Sequence, residues 1–220
     1  MKRLETARLV LRPFRWDDFE PFYALAYADP EVAPQWSGRT KTRDEVRGSF
    51  ARKVEQPAGK PGWVAITLKD RGTVIGGMGL QRWLPDEDTS WFIPEDPGDA
   101  PKRDPRVIEV ELAPVLGRAY WGQGYATEAG RALLAYGFTE LGVERVLSPI
   151  RQSNVRSIAL AQRLGCDIRR NVHPHPGMHG EPQVYATLSR ETWAKAAAAD
   201  RVGSHRTLVP VTRSNGQDGY

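Results

Sequence analysis

Arg118-Ala-Tyr-Trp-Gly-Gln-Gly-Tyr-Ala-Thr-Glu-Ala129 runs a glycine-rich turn straight into the first turn of an amphipathic helix. Gly122 and Gly124 can take backbone angles that residues with a Cβ avoid, so successive N–H groups can turn toward one point. The first N–H groups of the helix that follows have no intrahelical partners and carry the positive end of its dipole. Together they predict a pocket for a pyrophosphate that needs no lysine. Gly130, Leu133, Leu134, Gly137, Phe138 and Leu141 recur at helical spacing, and Gly142 is placed to end the helix. One helix face therefore packs on a sheet while the N-terminus points at the ligand. A P-loop would need Gly-x4-Gly-Lys-Ser/Thr and a dinucleotide fold Gly-x-Gly-x-x-Gly in a βαβ unit; the stretch fits neither. An ordinary glycine turn without a ligand is the plain alternative for these residues taken alone.

Outward from the turn, Arg106 to Leu112 reads as the strand leading in and Val143 to Ser148 as the strand leading out. Glu109 and Glu111 are two apart on the first strand and project from one face. With the other face expected under helices, two carboxylates on one side suggest an open cleft, where either could act as a base through water or attract a cation. A pair of exposed strand charges is the alternative. Asn154 caps a short helix ending at Leu164 with Gly165 beyond, and Val184 to Ser189 is the last clear strand.

Toward the N-terminus, Arg8 to Pro13 alternates as a strand and Trp16 to Ala28 follows as a helix with Asp17 and Asp18 in its first turn. A second helix spans Arg43 to Val54 before the Pro57–Gly62 breaker. Trp63 to Leu68 and Thr73 to Leu80 form a hairpin closed by Lys69–Gly72. Residues 85–105 interrupt the pattern with Asp86, Glu87, Asp88, Glu95, Asp96, Asp99 and Asp104 against Lys102 and Arg103. They read as an inserted loop, either a lure for a cationic amine or a solvated flap. His173, His175 and His179 sit among prolines without the ligand spacing of a metal site, so no metal is expected. Cys166 reads as a small buried apolar residue.

The chain resembles the GNAT superfamily of N-acetyltransferases. That family's acyl-CoA motif reads Arg/Gln-x-x-Gly-x-Gly/Ala, and Trp121-Gly122-Gln123-Gly124-Tyr125-Ala126 is similar to it except at the first position. Glu111 to Ala129 resembles the branch typified by the ribosomal-protein N-terminal acetyltransferases. Leu4 to Pro13 resembles that branch's first strand, Asn154-x-x-Ser157 with Leu164-Gly165 its second CoA-side helix, and Val184–Leu188 with Trp193 its closing strand, for a coverage of about residues 3 to 194.

The resemblance implies a single-domain α/β fold, with a mixed, mostly antiparallel sheet splayed at its centre and flanked by helices. It spans residues 1–199, with 200–220 a flexible tail. It implies acetyl-CoA as acyl donor, held by Val115, Leu116, Trp121, Gly122, Gln123, Gly124, Tyr125, Ala126, Thr127, Asn154 and Ser157, and direct transfer of acetyl to a primary amine, either a protein N-terminus or a small molecule. Glu111 is the expected base, Glu109 its alternate, and Ser157 the hydroxyl nearest the leaving thiolate. Many relatives carry a tyrosine acid where this chain has Ala161, and Pro114 removes an N–H where the branch commonly has a donor. Those two residues keep a second reading open, a non-catalytic acyl-CoA-binding or regulatory protein. A homodimer is plausible from the family alone.

At 220 residues the chain is long enough for one domain with a sizeable core. One cysteine excludes an intrachain disulfide, and no apolar run approaches the roughly 20 residues needed to cross a bilayer, so a cytoplasmic protein with no membrane contact is expected. The net charge of +4 comes from scattered basic residues, which argues against a nucleic-acid partner and favours a polyanionic cofactor.

Overall fold

The structure is a computed structural model and describes residues 1–82, 108–171 and 181–204. Its strands are β1 (Leu4–Glu5), β2 (Leu9–Arg12), β3 (Trp63–Leu68), β4 (Val74–Arg82), β5 (Ile108–Leu116), β6 (Val143–Arg151), β7 (Asp167–Asn171) and β8 (Gln183–Ser189). Its helices are α1 (Phe19–Tyr23), α2 (Ala33–Ser37), α3 (Arg43–Val54), α4 (Tyr125–Thr139), α5 (Val155–Arg163) and α6 (Arg190–Ser204). A 3-10 turn at Trp16–Asp18 and a π-helical turn at Ala24–Ala28 continue α1 at either end, so the helical path covers the expected span.

The strands form one sheet in the order β1-β2-β3-β4-β5-β6-β8-β7. Every neighbouring pair is antiparallel except β5 and β6. That parallel pair is in register only from Ile108–Val110 against Val143–Val146. Beyond it β5 stays with β4 as far as Leu116 opposite Gly76, and β6 stays with β8 as far as Arg151 opposite Gln183. The halves of the sheet therefore diverge, and Ser148 marks the fork, its Oγ accepting the Leu112 N–H at 3.0 Å. The fold is the single-domain α/β architecture expected, splayed at its centre.

The two faces are packed with different materials. Leu133 and Leu134 of α4 bury an aliphatic layer against Leu9, Leu11, Ile66, Met78 and Leu80. The opposite face is aromatic: Phe14 meets Phe22 and Phe50 edge-on at 4.8 and 5.3 Å between ring centroids. Trp63 lies so close to β4 that a Cβ at Gly79 would fall 2.6 Å from its indole. Beside this layer Arg12 holds the buried Asp18 with two hydrogen bonds of 2.7 Å, and Asp18 also accepts the Arg15 N–H at 2.8 Å.

Helix α3 and strand β3 have the expected bounds, and Thr42 and Glu45 close a capping box at the start of α3. Strands β5 and β6 run four and three residues beyond their expected ends, to Leu116 and Arg151. Sequence reading passed over α2, β7 and α6, and the resemblance ran β1 and β2 together as one strand. Two residues of β1 and five of α2 are too few for a periodicity, Asp167–Asn171 is a polar edge strand, and the alanine run of α6 has propensity without an apolar stripe. Helix α6 continues to Ser204, past the expected start of the tail at residue 200. The acidic stretch 85–105, the histidines of 173–179 and residues 205–220 lie outside the described residues.

Candidate active site

A cleft of about 1400 Å³ opens at the fork of the sheet. Its wall includes the glycine turn, the N-terminus of α4 and one side of α5. Gly122 and Gly124 have φ of 73° and 79°, the left-handed values that favour glycine, and Gly124 is the N-cap of α4. Trp121 ties the turn to the end of β5, its Nε1 donating to the Leu116 carbonyl at 2.8 Å. The guanidinium of Arg156 lies 4.7 Å over the Trp121 ring. On α5, Asn154 Oδ1 accepts the Ser157 N–H at 3.1 Å.

Val115, Leu116, Trp121, Gly122, Gly124, Tyr125, Ala126, Thr127, Asn154 and Ser157 all line this cleft. Gln123 does not; its side chain folds back to the Ala119 carbonyl at 2.8 Å and braces the turn from behind. Among the described residues the lining also holds Arg8, Arg131, Arg156 and Arg163 against a single carboxylate, Glu128. That balance suits a polyanion. The residues present thus fit coenzyme A: backbone N–H groups at a helix N-terminus for the diphosphate, arginines around it, and an open strand edge for the arm.

A smaller recess of about 150 Å³ continues from the cleft and shares Gln35, Trp36, Pro114, Asn154, Ser157 and Leu160 with it. Glu111 and Arg151 line the recess, and Arg151 Nη1 donates to the Pro34 carbonyl at 3.1 Å, tying β6 to α2. Glu109 lines neither space: Arg145 Nε donates to its Oε1 at 2.8 Å, across the parallel pair. Two carboxylates that alternation put on one face have thus parted company, because only Glu109 lies where β5 and β6 are still paired. Ala161 is buried and brings no hydroxyl. Cys166 is partly rather than fully buried, short of the buried residue expected, and that burial pushes its thiol up to about 11, so it stays neutral at physiological pH.

Sequence reading missed Thr6 and Arg8, Gln35 and Trp36, and Arg131, Arg156 and Arg163. The last three could have been found, since all lie on helices already identified as cofactor-facing. Arg8 and Trp36 could not, because their approach depends on how β2 and α2 pack against segments far along the chain. Among the described residues no three His, Cys, Asp or Glu side chains gather into a metal site, and no helix is long and apolar enough to cross a membrane.

Known proteins resemble this chain in sequence and in fold. The N-acetyltransferase p20 of Bacillus licheniformis, itself uncharacterized, is 28% identical over 199 residues, covering 87% of this chain and 98% of its own. The FsC-acetyl coenzyme A-N(2)-transacetylase of Aspergillus fumigatus is 28% identical over 203 residues, covering 87% and 78%. An aminoglycoside acetyltransferase solved in complex with coenzyme A superposes with a TM-score of 0.64 at 19% identity, over 86% of this chain and 99% of that one. The family model described as an acetyltransferase (GNAT) domain matches residues 8–167. Because that match spans most of the chain, the protein belongs to the GNAT acetyltransferases, which move an acetyl group from acetyl-CoA to an amine.

Proposed function

We propose that this protein acetylates a primary amine by direct attack on the thioester, with Glu111 as the base and Ser157 as the proton donor to the departing sulfur. The observation that carries the reading is the junction of cleft and recess: Ser157 lines both, and Glu111 lines the recess alone. An amine entering the recess as its ammonium ion gives a proton to Glu111, directly or through water, and its lone pair attacks the carbonyl carbon. The C–N bond forms and the C–S bond breaks. The thiolate takes a proton from Ser157, which recovers one from those the nitrogen sheds, so one proton is released per acetyl transferred. An alkyl thiol with a pKa of about 8.5 leaves without a strong acid, which accommodates Ala161.

Strand alternation supports a donor for the oxyanion. The backbones of Leu112, Pro114 and Leu116 face β6, as the Leu112–Ser148 bond indicates. Ser148 already takes the Leu112 N–H and Pro114 has none, so Leu116 supplies the N–H on the open part of the edge. The narrow recess favours an acceptor with a slender amine-bearing end, either a protein N-terminus or a small-molecule amine.

A thiol-release assay across amino acids, polyamines, aminoglycosides and N-terminal peptides tests the reading. Turnover of at least one class is expected. A preparation that binds acetyl-CoA yet acetylates none of them would favour a binding protein over an enzyme.

A further inference from the structure

Arg8 stands at the end of β2's approach and reaches the glycine turn 115 residues later. Its Nη1 donates to the Gln123 carbonyl at 3.0 Å, its Nε to Glu128 Oε2 at 2.7 Å, and its backbone N–H to Glu128 Oε1 at 2.8 Å. The guanidinium lies 4.5 Å over the Tyr125 ring. Nη2 makes no hydrogen bond among the described residues and stands 3.4 Å from where a Cβ on Gly124 would lie. Arg8 lines the cleft with its side chain about half exposed. Nε and Nη1 are therefore spent on the protein, and Nη2, which lies between them, is left beside Gly124.

Glu128 explains why a cation is needed there. A carboxylate in the first turn of α4 is favourable for the bare helix but repels a phosphate bound at the same N-terminus. Burial pushes the Glu128 carboxyl up, but hydrogen bonds from the Thr6 hydroxyl at 2.6 Å and from Arg8 outweigh it and hold the group below its ordinary value. Its charge thus persists at neutral pH and has to be balanced rather than discharged.

We propose that Arg8 is a diphosphate-binding residue of the acyl-CoA site, donating through Nη2 to the ligand while Nη1 holds the turn and Nε neutralises Glu128. The proposal rests on the acetyl-CoA assignment and adds to it a side-chain cation from the opposite end of the chain. A charge-assisted hydrogen bond of this kind is worth about 1.5–3 kcal/mol, or roughly 10- to 100-fold in affinity.

The test is calorimetric titration of the full chain with acetyl-CoA, with dephospho-CoA, which keeps the diphosphate, and with S-acetylpantetheine, which lacks it. Arg8→Met is expected to bind both nucleotides roughly 10- to 100-fold more weakly and S-acetylpantetheine as the parent does. Adding Glu128→Gln to Arg8→Met is expected to recover part of the loss, since the uncompensated anion is gone. Glu128→Gln alone, with Arg8 intact, is expected to bind acetyl-CoA at least as tightly as the parent. An unchanged nucleotide affinity in Arg8→Met overturns the proposal. So does an equal loss for S-acetylpantetheine, or a Glu128→Gln variant as weak as Arg8→Met, because either would make the pair a brace for the turn and nothing more. A folded parent that bound neither nucleotide would instead strike the cofactor assignment itself.

Discussion

The large cleft, proposed for the cofactor, and the small recess, proposed for the acceptor, meet at Trp36, Pro114, Asn154 and Ser157 among others, yet they are built differently. The cleft is backbone work: two left-handed glycines, the open end of α4 and an unpaired strand edge, with arginines added around them. The recess is side-chain work, drawn from α2, β5, β6 and α5, with Trp36 joining it to the aromatic face of the sheet. A site made of backbone geometry is set by a few residues close in sequence. A site made of converging side chains is set by the whole fold.

The sharpest way to break the first half is at Gly124. Gly124→Asp forces a side chain into φ of 79° and puts a carboxylate where the diphosphate belongs. Acetyl-CoA affinity is expected to fall at least about 100-fold in calorimetry while thermal stability drops by only about 1 kcal/mol, the cost of left-handed backbone for a residue that tolerates it. A variant that bound normally would show that the turn does not cradle the ligand.

The second half breaks first in its supports. Asp18 is buried and takes both hydrogen bonds from Arg12. Asp18→Ala leaves that guanidinium, itself largely buried, without its anion and should cost about 3 kcal/mol in denaturant unfolding. Acetyl-CoA affinity of the remaining folded fraction should not change, because neither residue lines the cleft. A loss of affinity there would show that the two regions are coupled through the sheet.

Glu111→Gln tests the recess itself. The expected result is a kcat roughly 100-fold lower, a flattened acid limb of the pH profile, and an acetyl-CoA affinity equal to the parent's. Equal kinetics would remove Glu111 as the base; weaker cofactor binding with unchanged kcat would move it into the cofactor site.

The same division governs what could be read from the chain. Gly122, Gly124 and the apolar stripe of α4 are local statements about φ and periodicity, so the turn, the helix and the direction of its N-terminus followed from the residues between 118 and 142. Asn154 was legible for the same reason, since a cap and the N–H it satisfies are three residues apart. Glu109 and Glu111 show the limit. Alternation correctly put them on one side, but whether a carboxylate lies beside the paired strands or lines the recess depends on where β5 parts from β6, and that fork falls at the contact of Leu112 with Ser148, 36 residues apart. Arg8 opened the strand expected from sequence and stands one residue before β2, and its role was still invisible, because its partners Gln123 and Glu128 become neighbours only in the folded sheet.

The smallest effect tests the aromatic face on which the recess leans. Lys53, near the end of α3, lays its ammonium 4.5 Å over the Trp63 ring. Burial first, and then repulsion from Arg52 and Lys41, push its pKa down to about 8 from an ordinary 10.5. Between those values the unfolded chain binds more protons than the folded one, so this residue makes stability rise with pH across that window. Below about pH 8 both states are charged, and the penalty for burying the ammonium is present in full. Lys53→Met keeps the length and removes the charge, at the loss of the contact with Trp63. It should raise the stability at pH 7 by about 1 kcal/mol, or roughly 3 °C in Tm, and the gain should shrink to nothing by about pH 10.5. A gain that persisted at high pH would trace to better packing of Met against Trp63, and a loss at pH 7 would mean that the cation–ring contact outweighs the cost of burial.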